Sequence, residues 1–415
     1  MDSERITLLD GKRILLGVTG SIACYKAVDL ASKLTQLGVQ VDVIMTEAAQ
    51  QFVTPLTFQA VTGRPVYTSM WTSGGGSLPT HVAHVGLAES ADLLIVAPAT
   101  ANTLAKLAHG LADDLLAITA LATTAPILIS PAMDGHMYAS LAVQENLAIL
   151  QGRGVTLIEP ETGRFASGLV GVGRFPETPK LIGAIRLRLG RSGALKGKNL
   201  VITAGGTREP LDPVRFITNR SSGKQGYALA QAAADAGAEV MLISAARGLT
   251  APYGVQVIPV ESAYQMQQTV LTHQAGADAL IMAAAVADFR PRTISDQKIK
   301  KTSGNDPLTL HLEKNPDILL SVKERRRDLH RPRVVVGFAA ESEDLIAHAR
   351  EKLERKGLDL LVANDITAKD AGFDVDTNRV VILDARGGQE ALELASKANV
   401  AEHIIQRVAQ LLGGQ

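Results

Sequence analysis

One loop carries most of the chemistry that can be read from this chain: Thr203-Ala-Gly-Gly-Thr-Arg-Glu-Pro-Leu-Asp-Pro-Val-Arg-Phe-Ile-Thr-Asn-Arg-Ser-Ser-Gly-Lys-Gln-Gly226. Hydroxyls, glycine N–H groups, arginines and a lysine gathered after a short apolar run bind anions, and their place at a strand end marks a nucleotide site. Within it Ser221-Ser-Gly-Lys224 looks like a phosphate loop, but it lacks the Gly-x-x-x-x-Gly-Lys-Ser/Thr spacing of that class. A second turn, Thr19-Gly-Ser21, offers backbone N–H groups and a hydroxyl that suit a phosphomonoester; an ordinary N-capped helix explains it equally well. The cationic stretch Asp296-Gln-Lys-Ile-Lys-Lys301 reads as a clamp for phosphate. His81-Val-Ala-His84 sets two imidazoles one helical turn apart, as a proton-transfer site or as structural histidines facing a sheet.

Such groups need strand ends to hold them. The run at 199–203, an Ala-rich helix at 227–237 and a strand at 239–243 open a doubly wound α/β domain. The same plan occurs near the N-terminus: strand 13–18, the turn, a helix to residue 37 with Ala27, Leu30, Ala31 and Leu34 on one face, Gly38, and strand 39–45. Further strand candidates lie at 92–97, 126–130 and 155–158, then at 256–260, 279–284, 333–337, 359–362 and 379–383. Residues 72–79 and the glycine-rich 161–175 have the composition of mobile covers, the second that of a flap. The basic run at 323–327 reads as a solvated helix face.

With 415 residues the chain exceeds one ordinary core, and two α/β domains of roughly 190 and 220 residues fit the usual size range. Small and basic residues at 189–198 read as the linker between domains 1–190 and 191–415. The 42 basic and 42 acidic residues cancel, which gives no general electrostatic reason to expect nucleic acid or an anionic membrane as partner. The single Cys24 excludes an internal disulfide and a Cys-based metal site. The first thirty residues carry no basic and apolar leader, and no run approaches the roughly 18 apolar residues of a membrane span, so a cytoplasmic protein is expected.

Taken in order, the motifs resemble the bifunctional phosphopantothenoylcysteine decarboxylase / phosphopantothenate-cysteine ligase family of coenzyme A biosynthesis. The first half is similar to flavin-dependent cysteine decarboxylases through Thr19-Gly-Ser-Ile22, His84, Ala97-Pro-Ala-Thr-Ala-Asn102, Asp113-Asp-Leu-Leu116 and Pro131-Ala-Met133. The second half matches through the loop above, Ala283-Ala-Ala-Val-Ala-Asp288, Lys298-Ile-Lys-Lys301, Lys314-Asn-Pro-Asp317, Gly337-Phe-Ala-Ala-Glu341 and Ala363-Asn-Asp365. The resemblance implies two Rossmann-like domains, a flavodoxin-like flavoprotein domain followed by a doubly wound nucleotide-binding ligase domain.

It further implies FMN on Gly20, Ser21, Thr46, Thr100 and Asn102, with His84 as the catalytic base. Two positions depart from the family pattern. Asp134 follows Pro-Ala-Met where an Asn binds the substrate carboxylate; it is either protonated, or acts elsewhere in the pocket, or raises the energy of a carboxylate about to leave. Ser167 stands in the flap nearest a position that holds a cysteine in many members, and would donate a proton less readily than a thiol.

For the ligase half the resemblance implies that CTP activates 4'-phosphopantothenate as an acyl-cytidylate, which cysteine then attacks. Lys298 is the matched lysine; Asn219 turns over the intermediate; Arg215 lies in the same loop. Met282, Ala283, Ala284, Asp288, Pro316, Asp317, Ile318, Leu319, Phe338, Lys352 and Lys356 fall on CTP-binding positions, with Asp288 also beside Mg²⁺. Loop capping is the plain alternative for Arg215 and Asn219. The family's trimeric first half and dimeric second half imply a homo-oligomer, as large as a dodecamer. A dehydrogenase is disfavoured because neither turn has Gly-x-Gly-x-x-Gly. An active ligase fused to a regulatory flavin-binding domain is the alternative that Asp134 and Ser167 motivate.

Overall fold

A computed structural model of the protein describes residues 6–71, 82–164, 168–300, 308–341, 345–365 and 375–413. The cover at 72–79 and the residues His81, Ser167 and Lys301 lie outside these segments. The chain divides into two compact units, Met1–Leu189 and Gly190–Gln415.

In the first unit β1 (Arg13–Val18) and β2 (Gln40–Met45) flank α1 (Cys24–Gln36). Its buried stripe of Cys24, Ala27, Leu30, Ala31 and Leu34 follows the three-and-four spacing of an amphipathic helix. Next come α2 (Pro55–Thr62), β3 (Val66–Tyr67), α3 (Ala83–Ser90), β4 (Leu93–Ala99), α4 (Ala101–His109), α5 (Leu115–Ala122) and β5 (Ile127–Pro131). The unit closes with α6 (Gly135–Tyr138), α7 (Leu141–Gly152), β6 (Thr156–Leu157), β7 (Glu161–Arg164), β8 (Val170–Arg174) and α8 (Thr178–Gly190). The six-stranded sheet has the order β3-β2-β1-β4-β5-β6 and is parallel throughout. Leaving aside the two-residue edge strand β3, the order is that of flavodoxin. The glycine-rich cover takes the form of the antiparallel hairpin β7-β8 in its described residues.

The second unit contains β9 (Asn199–Ala204), β10 (Arg208–Pro210), β11 (Phe216–Thr218), α9 (Lys224–Asp235), β12 (Glu239–Ser244), β13 (Gln256–Pro259) and α10 (Ala263–His273). It continues through β14 (Ala279–Met282), β15 (Phe289–Pro291), β16 (Leu312–Lys314), α11 (Ile318–Leu329), β17 (Val334–Glu341) and α12 (Leu345–Lys356). Last are β18 (Leu360–Asp365), β19 (Thr377–Asp384), β20 (Gln389–Ser396) and α13 (Lys397–Gly413). The large sheet runs β13-β12-β9-β14-β17-β18-β19-β20, parallel up to β18 and antiparallel beyond. The first six strands repeat the doubly wound order 3-2-1-4-5-6. Alternation within each strand feeds two cores. Leu200 and Ile202 join Leu229, Ala233, Ile404 and Val408 on one face, and Val201 joins Met266, Val322 and Leu353 on the other.

Three expectations change. The loop at 203–226 is interrupted by the hairpin β10-β11. Of the segment at 189–198, residues 190–198 belong to the packing of the second unit: a Cβ on Gly190 or Gly193 would come within 2.5 or 2.4 Å of the carbonyl oxygens of Asp235 and Ala236, and Leu195 is fully buried. Its small residues allow close approach rather than flexibility. In the basic run, Lys323 donates to the Arg355 carbonyl at 2.7 Å and Arg326 reaches Asp359 Oδ2 at 2.9 Å, so two of these cations tie α11 to the segment around α12 instead of facing only solvent.

Candidate active sites

In the first unit the carboxyl ends of β1, β2 and β4 bring forward Gly20 and Ser21, Thr46, and Thr100 with Asn102. Thr19, almost fully buried, locks two of these ends together: its hydroxyl donates to the Pro98 carbonyl at 2.7 Å and accepts from Thr100 N–H at 3.0 Å. Ser21 Oγ accepts from Ala23 N–H at 3.3 Å, Thr46 Oγ1 from Ala49 N–H at 3.3 Å, and Thr100 Oγ1 from Thr103 N–H at 3.4 Å. These are local turn and helix caps, but a hydroxyl that accepts still has a proton to donate. With no side-chain cap at Ala23, the positive end of α1 faces the same edge. Gly20 is required by packing, since a Cβ there would lie 2.5 Å from that of Ala48.

His84 is the second residue of α3 and is half-buried. Asp134 caps α6, its Oδ1 accepting from His136 N–H at 3.1 Å. It lines a cavity of about 510 Å³ with Ser21, Met133, Lys26, Arg164 and Arg174. Lys26 Nζ and Arg174 Nη2 both reach Glu177 Oε1, at 2.8 and 2.7 Å, and the lysine foremost holds the Glu177 carboxyl below its usual range. Cations beside hydroxyl donors form a surface for an anionic substrate. His84, Thr46, Thr100 and Asn102 do not line this particular cavity.

In the second unit the strap at 283–288 leaves β14 and separates from the sheet because other groups claim its peptides. Thr203 Oγ1 accepts from Ala284 N–H at 3.1 Å, Gly205 O from Ala285 N–H at 2.9 Å and Thr207 Oγ1 from Ala287 N–H at 3.0 Å. Asn219 Nδ2 donates to Val286 O at 3.0 Å and Asn315 Nδ2 to Ala287 O at 2.8 Å. Asp288 therefore sits six residues past the end of β14, not at a strand end.

Two cavities meet along this strap. One, about 720 Å³, is lined by Met282, Ala284, Asp288, all four residues 316–319, Phe338, Lys352 and Lys356. The other, about 500 Å³, is lined by Asn219, residues 220–226, Ala283, Ala284, Asp288, Phe338 and Lys352. The predicted nucleotide positions thus converge from β14, the strap, α11, β17 and α12. Two predicted residues stand apart from both cavities. Arg215 binds Asp212 Oδ2 through Nη2 at 2.6 Å and the Ile299 carbonyl at 2.7 Å, a bracing role that holds the 212–215 and 299 segments together. Lys298 is exposed beside it. Arg215 foremost keeps the Asp212 carboxyl far below the ordinary range.

At the start of α9, Gly223 adopts φ +78°, and a Cβ there would meet that of Ala246 at 2.6 Å. Lys224 Nζ pairs with Asp376 at 2.6 Å, lowering that carboxyl below its usual range. Among the described residues no group of three or more His, Cys, Asp or Glu is arranged to hold a metal. Asp288 and Asp317 both line the larger cavity, Asp317 already paired with Lys356 Nζ at 3.1 Å, and so few carboxylates suit an ion that takes most of its ligands from phosphates and water, as Mg²⁺ does.

The first half of the chain matches the Flavoprotein family over residues 2–190. The second matches the family described as DNA/pantothenate metabolism flavoprotein C-terminal domain over residues 195–412. The coenzyme A biosynthesis bifunctional protein CoaBC of Bacillus subtilis (strain 168) is 47% identical over 407 residues, spanning 97% of this chain and 98% of that protein. The chain belongs to this bifunctional coenzyme A biosynthesis family. The CoaBC protein of Vibrio vulnificus (strain CMCP6) is 45% identical over 405 residues, spanning 98% of this chain and 99% of its own. A solved C-terminal domain of a CoaBC protein is 37% identical, covers 54% of this chain and all of its own, and superposes with a TM-score of 0.46. Membership makes this a bifunctional enzyme with a flavoprotein decarboxylase half and a ligase half. No helix among the described residues is long and apolar enough to cross a membrane.

Cavity-lining Gln225, Asn378 and Lys397 were not among the predicted site residues. Each is remote in sequence from the others, and only the sheet order assembles them. Asn315 falls within Lys314-Asn-Pro-Asp317, one of the motifs that carry the family resemblance.

Proposed function

We propose that residues 1–190 form an FMN-dependent phosphopantothenoylcysteine decarboxylase and residues 191–415 a CTP-dependent phosphopantothenate-cysteine ligase, in a cytoplasmic homo-oligomer. The observation that carries the ligase reading is the pair of adjoining cavities walled by Asp288, Phe338 and Lys352. A two-substrate activation needs such a junction: the nucleotide in the larger space, the acid in the smaller, and reacting atoms where they meet.

In this reading a carboxylate oxygen of 4'-phosphopantothenate attacks the α-phosphorus of CTP and pyrophosphate leaves. The cysteine amine then attacks the acyl carbon, and CMP leaves as the amide forms. Lys352 and Lys356 offset the triphosphate's charge, with Lys298 delivered from its exposed loop. Asp288 would hold Mg²⁺, which would supply charge neutralisation at the triphosphate, and Asn219 orients the acyl-cytidylate for attack. In the first half, Gly20, Ser21, Thr46, Thr100 and Asn102 hold FMN, and their hydroxyls and the α1 terminus fit its phosphate. FMN, when bound, would take two electrons from the thiol-bearing carbon so that carbon dioxide can depart and would return them to the resulting enethiol, giving the saturated thiol of 4'-phosphopantetheine. His84 takes a proton from the cysteine moiety, and Lys26 and Arg174 receive the substrate's anionic groups.

The test incubates the protein with 4'-phosphopantothenate, cysteine, CTP and Mg²⁺ and follows products by mass spectrometry beside His84→Ala. The wild type should accumulate 4'-phosphopantetheine and the variant phosphopantothenoylcysteine. A wild type that also stops at phosphopantothenoylcysteine keeps the ligase and makes the first half a regulatory flavin domain; absence of both products refutes the reading.

A further inference from the structure

Thr207 is fully buried, yet its N–H, hydroxyl oxygen and carbonyl all serve the strap or the loop opposite it. Its N–H donates to Ala285 O at 3.3 Å, and its hydroxyl oxygen accepts from Ala287 N–H at 3.0 Å. Its carbonyl accepts from the Thr218 hydroxyl at 2.7 Å. Ala287 is the neighbour of Asp288, and Thr218 is the neighbour of Asn219. One residue is therefore bonded to the Ala287 peptide N–H on one side and to the Thr218 hydroxyl on the other, next to both side chains that the ligase reading brings to the junction of the cavities. Asn219 closes the circuit by donating to Val286 O at 3.0 Å. Little slack exists nearby: a Cβ on Gly206 would come within 2.6 Å of Asn219 O.

From this geometry we infer that Thr207 is a positioning residue for the ligase reaction, fixing the separation of Asn219 and Asp288 through its hydroxyl. The inference rests on the ligase reading. Valine keeps the shape of threonine but cannot accept from Ala287 N–H, which leaves that donor orphaned in the interior and lets the strap shift. Serine keeps the acceptor.

The experiment compares Thr207→Val and Thr207→Ser in the full chain. Ligase steady-state constants are measured with varied CTP, decarboxylation is measured with supplied phosphopantothenoylcysteine, and amide hydrogen exchange is followed at 283–288. For the valine variant, ligase kcat should fall by about tenfold or more, because displacement of reacting groups by a fraction of an ångström has effects of that order. Its KM for CTP should rise as Asp288 moves, exchange at the strap should quicken, and decarboxylation should be unchanged. The serine variant should recover most of the ligase rate and the slow exchange. Valine with ligase constants within twofold of wild type, serine as impaired as valine, or a loss of rate with unchanged KM and a reduced folded fraction would each overturn the inference. A wild type without ligase activity refutes the ligase reading itself, and unaltered strap exchange in the valine variant separately refutes the pegging by Thr207.

Discussion

Asp317 divides its carboxylate between two neighbours: Oδ1 accepts from Leu320 N–H at 3.2 Å as the N-cap of α11, while Oδ2 meets Lys356 Nζ, from the end of α12, at 3.1 Å. The cap and the ion pair fix a lysine that lines the larger cavity, so local helix chemistry sets the position of a charge in the site. Asparagine is as good a cap as aspartate. Asp317→Asn should retain the stability of the second unit within a few tenths of a kcal/mol, whereas Asp317→Ala should lose about 1 kcal/mol. Urea unfolding of the two variants, read by a probe in the second unit, checks this; equal losses would show that the ion pair rather than the cap matters.

Lys352 and Lys356 occupy one helix but different walls. Lys352 lines both cavities and Lys356 only the larger. Lys356→Ala should raise KM for CTP roughly tenfold, the value of one charge-assisted hydrogen bond, and leave KM for 4'-phosphopantothenate alone. Lys352→Ala should raise both. If the Lys356 variant weakens the acid as much as the nucleotide, the division of substrates between the cavities is wrong.

Much of this arrangement is legible in the sequence because burial imposes period. The α1 stripe at Ala27, Leu30, Ala31 and Leu34 and the apolar run ending at Thr203 follow directly from which faces must leave water. β20 was not legible: Gln389, Glu390, Leu392 and Glu393 favour helix, and only pairing with β19 makes this segment a strand. At the site, the segments around Asp288 and Asp317 are legible only as motifs that carry the family resemblance. The role of Arg215 is not, because bracing Asp212 and Ile299 depends on a segment 84 residues away. Gln225 and Lys397 remained hidden for the same reason, meeting only where α9 and α13 share a core.

The Asp212–Arg215 brace predicts a pH dependence with a definite sign. Asp212 Oδ1 accepts from the N–H groups of Val214 and Arg215, and Oδ2 from the Arg215 guanidinium and Ile299 N–H. Its folded carboxyl therefore titrates below its unfolded value. A depressed carboxyl stabilises the fold fully above the unfolded value of about 3.9, and loses that contribution as pH falls toward the folded value. The melting temperature of the second unit should differ between wild type and Asp212→Asn by a constant amount from pH 7 to 5 and converge only below about pH 4. Convergence already at pH 5 would contradict the brace.

Asp134 offers the sharpest test in the first half, because its two possible contributions separate. As the cap of α6 it accepts from His136 N–H, a role asparagine fills equally, so Asp134→Asn should keep the fold. As a charge beside Lys26, Arg164 and Arg174 in the cavity, it competes for cations that would otherwise serve the substrate's carboxylate. Removing that charge should lower KM for phosphopantothenoylcysteine several-fold at unchanged kcat, since an amide can donate to the carboxylate that an aspartate repels. If kcat falls together with KM, the charge instead raises the ground state of the departing carboxylate, and the enzyme gains rate at the expense of affinity. Unchanged constants would show that no repulsion from Asp134 acts on the substrate's carboxylate.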